Sequence, residues 1–141
     1  MYSINYKSLH LVSFSTEVYF DGTDDMIRTA INWLDADLTE ANKHRKERPW
    51  IVLITHHPVY CSAPDTADCT TNAQKLRDGK VNDATGERFG GLEPVLLKHK
   101  VDLYLTYVLE QERKRGRSTE SLMFIPIIRQ ICINVTYLEN I

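Results

Sequence analysis

Short apolar runs and one longer amphipathic stretch divide the chain, and this pattern predicts its elements. Residues 9–14, 50–55 and 101–106 are short, apolar and rich in β-branched or aromatic side chains, which is typical of strands. The run 50–55 shows no alternation of apolar and polar positions, which favours a central strand covered on both faces. Three strands are therefore predicted.

A helical period begins at Asp24. Asp24 and Asp25 lie in the predicted first turn, where the helix dipole favours acidic side chains, and Pro49 prevents any continuation. Two shorter helical segments are predicted at residues 72–78 and 92–99. The apolar side chains of the long helix fall on one face: they are Ile27, Ala30, Ile31, Leu34, Leu38 and Ala41.

Strands that alternate with helices predict an α/β fold with parallel pairing through right-handed crossovers. In such sheets, ligands bind beyond the carboxyl ends of the strands. The polar residues at those ends are Ser15, Thr16 and Glu17 after the first strand and His56 and His57 after the second. Candidate chemistry is therefore expected at this edge of the sheet.

Length and composition fit one soluble globular domain of 141 residues, with 43% hydrophobic and 26% charged residues. The net charge of −2 excludes a strongly basic nucleic-acid binder, and we expect no nucleic-acid partner. The apolar runs are far shorter than the roughly 20 residues that span a bilayer, so no membrane span is predicted. The first residues show no signal peptide.

His56 is the first candidate for chemistry, because it directly follows a buried strand that holds its backbone in place. A neutral imidazole there is a good ligand for zinc or iron. The alternative is a surface histidine pair that opens a loop. Side chains at a strand end alternate, so we expect His57 to point away from the His56 site.

The carboxylates nearest these strand ends are Glu17, Asp65, Asp68 and Asp102. None is spaced from another as a paired acid–base site requires, and solvated loop acids are the default interpretation. Asp102 lies inside a predicted strand, so we expect it to cap or pair structurally.

Two cysteines, Cys61 and Cys69, share a polar loop that contains Pro64. Seven residues separate them, which fits neither a redox pair nor a zinc motif. A structural disulfide and two free thiols both stay open. Asn134 begins an Asn-Val-Thr sequence, which is a weak candidate for glycosylation because it lies in an apolar run.

Several segments in the same order resemble the purple acid phosphatases, and most closely the animal group that is related to the plant enzymes. His-His-Pro-Val-Tyr after an apolar strand is a fairly specific match. The resemblance covers about residues 2–106. It rests on Leu-His-Leu-Val-Ser-Phe-Ser-Thr-Glu at 9–17, Trp-Leu-Asp-Ala-Asp-Leu at 33–38, Arg-Pro-Trp-Ile-Val-Leu-Ile-Thr-His-His-Pro-Val-Tyr-Cys-Ser at 48–62, Gly-Leu-Glu-Pro at 91–94 and Lys-Val-Asp-Leu-Tyr-Leu-Thr at 100–106.

This resemblance implies a metallophosphoesterase fold, in which two β-sheets pack together and are flanked by helices. It also implies a dinuclear centre of iron with a second iron, zinc or manganese, which hydrolyses phosphate monoesters at acidic pH. By motif position, His56 resembles the family's histidine ligand of the divalent ion, whereas Asp35 and Asp37 match no metal motif. The family location is secreted or lysosomal, and export to an oxidising compartment favours a Cys61–Cys69 bridge.

The sequence also departs from the family. The Asp-x-Gly, Gly-Asp-x-x-Tyr and Gly-Asn-His motifs are not in the chain, and residues 107–110 replace the expected Gly-His-x-His. We therefore expect a partial metallophosphoesterase domain at 1–106, incomplete at both ends, and an unmatched tail at 107–141. His56 is the one family ligand that the chain keeps.

Two functional interpretations follow. The first is a fragment of an acid phosphatase that is inactive as an isolated chain and does not hold its metal ions stably alone. The second is a non-catalytic truncated relative that acts as an interaction module, or a mis-predicted gene product. We also expect an open edge or an exposed face of the sheet beside residues 9–14, and a chain that tends to aggregate or needs a partner. The oligomeric state cannot be predicted.

Overall fold

The computed structural model describes residues 1–60, 67–106 and 133–134. Two 3₁₀ turns, Thr16–Tyr19 and Ala67–Cys69, accompany the regular elements. The strands and helices are β1 (Tyr2–Tyr6), β2 (Leu9–Ser13), α1 (Asp24–Lys43), β3 (Trp50–Thr55), α2 (Thr71–Asp78), β4 (Lys80–Val81), β5 (Arg88–Phe89), α3 (Leu92–His99), β6 (Leu103–Thr106) and β7 (Ile133–Asn134).

A mixed five-stranded sheet forms the centre of the fold, in the order β1-β2-β3-β6-β7. Its inner pairs, β2 with β3 and β3 with β6, are parallel, and the edge strands β1 and β7 pair antiparallel. A separate small hairpin joins β4 and β5. The α/β prediction is confirmed, and so are the three predicted strands and the three helices to within two residues.

The edge strand β1 was not predicted, and it corrects the expectation of an open edge beside residues 9–14. β1 pairs with β2 over its whole length, from Tyr2 opposite Ser13 to Tyr6 opposite Leu9. Its polar side chains point toward α1. Ser3 donates a hydrogen bond to Asp37 Oδ1 at 2.5 Å. Among the described strands, β1 and β7 are the two edges of the sheet.

One face of the sheet packs against the helices and forms the core. The predicted apolar face of α1 is confirmed, because all its members except Ile31 are buried, and Ile31 packs against the core. Thr23 caps this helix, since its Oγ1 accepts a hydrogen bond from the Met26 N–H at 3.3 Å. The largest fully buried side chains are Tyr19, Ile27, Leu34, Leu38, Ile51, Leu53, Leu76 and Leu92.

The opposite face of the sheet is apolar, and several of its described side chains are exposed. Ile4, Leu11, Val52 and Leu103 are paired across neighbouring strands and so point to the same side. On this side, exposed large hydrophobic residues are Tyr2, Ile4, Tyr6, Trp50 and Ile54. In the described part of the chain, the strands make one large sheet and one hairpin, not two stacked sheets.

Arg45 and Asp102 join the amino-terminal ends of the inner strands to the end of α1. Asp102 Oδ2 accepts hydrogen bonds from Arg45 Nη1 at 2.5 Å and from the Ile51 N–H at 2.7 Å. Arg45 Nη2 also donates to the carbonyls of His99 and Lys100. The structural role predicted for Asp102 is confirmed.

Within the described residues, no helix combines the length and the apolar character that a bilayer crossing needs.

Candidate metal-binding site

Three possible metal ligands meet at the carboxyl-terminal edge of the sheet. Glu17 lies in the 3₁₀ turn that follows β2, and His56 and His57 directly follow β3. Because β2 and β3 are parallel neighbours, their carboxyl ends lie side by side, and the residues after them are brought together.

The three side chains form one compact group. Each offers one ligand atom, and these atoms all lie within 4.8 Å of one another. His57 Nε2 is 3.1 Å from Glu17 Oε1, and the centroids of the two imidazole rings are 4.6 Å apart. The His57 side chain is 14% exposed and that of Glu17 is 50% exposed. The group therefore lies in part at the surface.

The expectation that His57 points away from His56 is wrong. It assumed that strand alternation continues past Thr55, but β3 ends there and His56 and His57 form a bend. Alternation of side chains holds only while the backbone is extended. The bend lets both imidazoles reach the same group.

The backbone of His57 is fixed by buried side chains of three elements. Thr16 Oγ1 accepts a hydrogen bond from the His57 N–H at 3.2 Å. The hydroxyl of Tyr104 donates to the His57 carbonyl at 2.8 Å and accepts from Thr55 Oγ1 at 2.7 Å. Burial raises the pKa of Tyr104 well above its ordinary value, which keeps the hydroxyl protonated as a donor.

An aromatic ring and a lysine border the site on the helix side. The Phe20 ring packs against the His57 imidazole, with centroids 4.6 Å apart. Lys75 Nζ lies 5.0 Å from the centroid of the Phe20 ring. Burial, followed by repulsion from Lys80, lowers the pKa of Lys75.

Two imidazoles and one carboxylate are a donor set that suits a divalent ion such as zinc. A tetrahedral site with three protein ligands keeps a fourth position for water or substrate. In the described part of the chain, this is the one group of three or more potential ligands that is close enough to hold an ion. These residues fit one ion and do not by themselves supply a dinuclear centre.

Curated relatives identify the family. The chain is 42% identical over 106 residues to acid phosphatase type 7 of Homo sapiens and 44% identical over 109 residues to that of Danio rerio. Each match covers 74% of this chain. The chain is a purple acid phosphatase homologue. It spans 23% and 24% of the two relatives, about a quarter of their length. No protein-family model and no solved structure matches the chain.

The other candidate residues of this phosphatase homologue stay predictions. Cys69 is disulfide-bonded, but Cys61 and Cys132 both lie outside the described residues, so its pairing with Cys61 is untested. Asp65 and the side chain of Asp68 also lie outside them. Asn134 is in the edge strand β7, opposite Tyr104.

Asp35 and Asp37 of α1 contact histidines elsewhere in the fold and do not belong to the Glu17–His56–His57 group. Asp37 Oδ2 lies 2.9 Å from His10 Nε2, and Asp35 Oδ1 lies 2.7 Å from His99 Nε2. Both contacts link α1 to its neighbours in the fold. They agree with the sequence observation that neither aspartate matches a metal motif of the phosphatases.

Sequence reasoning placed Thr16 and Glu17 at this edge of the sheet without giving either a role, and it missed Tyr104. The useful signal for Glu17 was its position after β2, because β2 precedes β3 and pairs with it. The hydroxyls of Tyr104 and Thr16 bond to the backbone of His57. No spacing of residues in the sequence predicts such contacts, because they depend on the packing of three separate segments.

Proposed function

We propose that this chain is part of an acid phosphatase that hydrolyses phosphate monoesters at a dinuclear metal centre. The supporting observation is its identity of 42% over 106 residues to acid phosphatase type 7. The chain also carries a histidine pair directly after β3, at the carboxyl-terminal edge of the parallel inner strands, where ligands bind in such sheets. We further propose that the isolated chain has no phosphatase activity.

His56 is the residue that this proposal assigns to a metal ion. In a dinuclear phosphatase, the two ions activate a water molecule and neutralise the charge that develops on the phosphate. In this chain, His56 would hold one ion, and Glu17 and His57 lie within reach of the same position. The hydrogen bonds of Thr16 and Tyr104 would keep these side chains in position.

Inactivity of the isolated chain follows from the ligand count. Two ions about 3.5–4 Å apart need two sets of ligands. The described residues supply one group, and the sequence has no Gly-His-x-His after β6. We therefore assign the second set to other parts of a full-length phosphatase, of which this chain spans about a quarter.

The uncovered sheet face supports a two-layer fold in that full-length protein. Large apolar side chains, among them Trp50 and Ile54, are exposed on one side of the sheet. Exposed apolar patches of this kind mark surfaces that pack against something. A second sheet over this face would give the metallophosphoesterase arrangement. The same surface would serve the alternative function, a non-catalytic interaction module.

A direct assay tests the proposal. The chain is loaded with iron and zinc and assayed with a chromogenic phosphate monoester at acidic pH, beside a full-length relative as the positive control. We expect no turnover by the isolated chain. Turnover that follows metal loading and disappears in His56→Ala would refute its inactivity.

A secreted or lysosomal location stays a prediction.

A further inference from the structure

We propose that Glu17, His56 and His57 together bind one divalent cation of the zinc type, with this chain supplying all three protein ligands. The sequence had indicated His56 alone, and with it only weak metal binding. The proposal goes beyond the phosphatase function, because it needs neither a second ion nor turnover. It can hold in a chain that has no enzymatic activity.

The geometry is close to that of a bound ion. Zinc bonds to histidine nitrogen and carboxylate oxygen are about 2.0–2.2 Å long, which places tetrahedral ligand atoms roughly 3.4 Å apart. His57 Nε2 and Glu17 Oε1 are already 3.1 Å apart, and all three ligand atoms lie within 4.8 Å. Small rotations of the exposed Glu17 and His56 side chains would complete the site. The backbone need not move.

The least exposed ligand is also the most firmly placed one. Both backbone polar groups of His57 are hydrogen-bonded to buried side chains, its N–H to Thr16 and its carbonyl to Tyr104. The Phe20 ring packs against the imidazole. These contacts hold the His57 backbone and ring in place before the ion arrives.

A second histidine–glutamate pair, on the surface of α1, serves as a comparison for the Glu17–His57 pair. His44 Nε2 lies 3.3 Å from Glu40 Oε1, a distance similar to that of the Glu17–His57 pair. That pair is an i, i+4 contact on the surface of α1, with side-chain exposures of 43% and 61%. It is not in the one group of three potential ligands among the described residues. The His44–Glu40 pair is therefore a matched control.

Isothermal titration calorimetry with Zn²⁺ tests the proposal on the purified full chain, after alkylation of its free thiols. We expect one zinc ion per chain. His56→Ala and His57→Ala should each weaken binding at least about tenfold, and Glu17→Gln should weaken it by a similar factor. His44→Ala and Glu40→Gln should bind zinc as the unchanged chain does. Far-UV circular dichroism checks that each variant is folded.

A measurement on the unchanged chain covers the case in which a variant fails to fold. Zinc is titrated into ¹⁵N-labelled protein, and the imidazole nitrogen signals are followed. We expect the signals of His56 and His57 to shift together and to saturate at one equivalent, while those of His44 stay constant. Absence of zinc binding, or shifts at His56 without His57, would overturn the proposal. Neither result would decide whether a full-length relative is a phosphatase.

Discussion

At the scale of single residues, buried and half-buried charges hold the ends of the elements together. Arg45 is the clearest case, since its guanidinium joins α1 to Asp102 and to the carbonyls of His99 and Lys100. Planar guanidinium groups suit such multiple contacts. This cluster ties the start of β3 to the segment that leads from α3 into β6.

Asp102→Ala should destabilise the fold by about 1.5–3 kcal/mol, because it removes charged hydrogen bonds to Arg45 and to the Ile51 N–H. Urea unfolding measures the change in the free energy of unfolding. The control is Glu40→Ala, which breaks the exposed pair with Lys43 and should lower the free energy of unfolding by clearly less than Asp102→Ala does. If the two variants lost the same free energy of unfolding, the Arg45–Asp102 cluster would stabilise the fold no more than an exposed ion pair does.

Asp35 gives the fold a dependence on pH. Hydrogen bonds from Lys98 and then His99 hold its pKa below the ordinary value of 3.8. A carboxylate whose pKa is lower in the folded state stabilises the fold above its ordinary pKa, and this contribution is lost as the pH falls through the folded value. Its size is at most about 1 kcal/mol, since the Asp35 side chain is 35% exposed.

Asp35→Asn should therefore lower the free energy of unfolding at neutral pH. This loss should become smaller as the pH falls below 3.8. Thermal unfolding of both proteins over this range measures the difference, and Asp83→Asn at an exposed position is the control. A difference that does not change with pH would mean that the Asp35 carboxylate charge contributes nothing.

The residues of the site could be predicted only in part. His56 was identified because a buried strand precedes it. The position of the His57 side chain was predicted incorrectly, because the alternation of side chains was extended past the end of β3. Glu17 was noted as a nearby carboxylate, but its contact with His57 depends on the 3₁₀ turn after β2. Such turns leave little trace in the sequence.

At the scale of elements, α1 contributes most to the core. Five of its residues are buried against the sheet and α3. Its N-cap at Thr23 and its early acidic residues favour the helix locally, and its buried face fixes where it lies.

Leu34→Ala should lower the free energy of unfolding by about 2–5 kcal/mol, because Leu34 is fully buried and its truncation leaves a cavity. Chemical denaturation measures the loss. Thr29→Ala on the exposed side of the same helix should change stability by less than about 0.5 kcal/mol. If the two variants lost the same free energy of unfolding, the assignment of the buried face of α1 would be wrong.

Elements with strong periodicity were predictable and weak ones were not. The long helix and the apolar strands β2, β3 and β6 follow directly from their hydrophobic patterns. β1 was overlooked, although its alternation of apolar Tyr2, Ile4 and Tyr6 with polar residues is the pattern of a strand with two different faces. Its polar Ser3 and Asn5 contact the network around His10 and Asp37. β4 and β5 have two residues each, too few for any pattern.

At the scale of the whole molecule, the helices cover one face of the sheet and leave the other apolar and exposed. Tyr2, Ile4 and Tyr6 of β1 lie on this face, and among the described strands β1 is one of the two edges of the sheet. An exposed apolar face beside a sheet edge promotes association between chains. The exposed face expected beside residues 9–14 is therefore found, and the tendency to aggregate stays a prediction.

Ile4→Lys should reduce self-association of the isolated chain, because it places a charge on the apolar face. Sedimentation velocity over a range of concentrations measures this. Leu97→Lys is the control, since Leu97 is 48% exposed and Ile4 is 51% exposed, but Leu97 lies on α3. An equal effect of both substitutions would mean that the sheet face is not the surface of association.

The central claim is that this chain forms part of a phosphatase and supplies His56 to its metal centre. The most direct test is a chimera, in which the segment of human acid phosphatase type 7 that matches this chain is replaced by the corresponding residues of this chain. We expect the chimera to hydrolyse a phosphate monoester, and to lose turnover with His56→Ala but not with His44→Ala. A folded chimera without activity, or one whose activity survives His56→Ala, would contradict the claim.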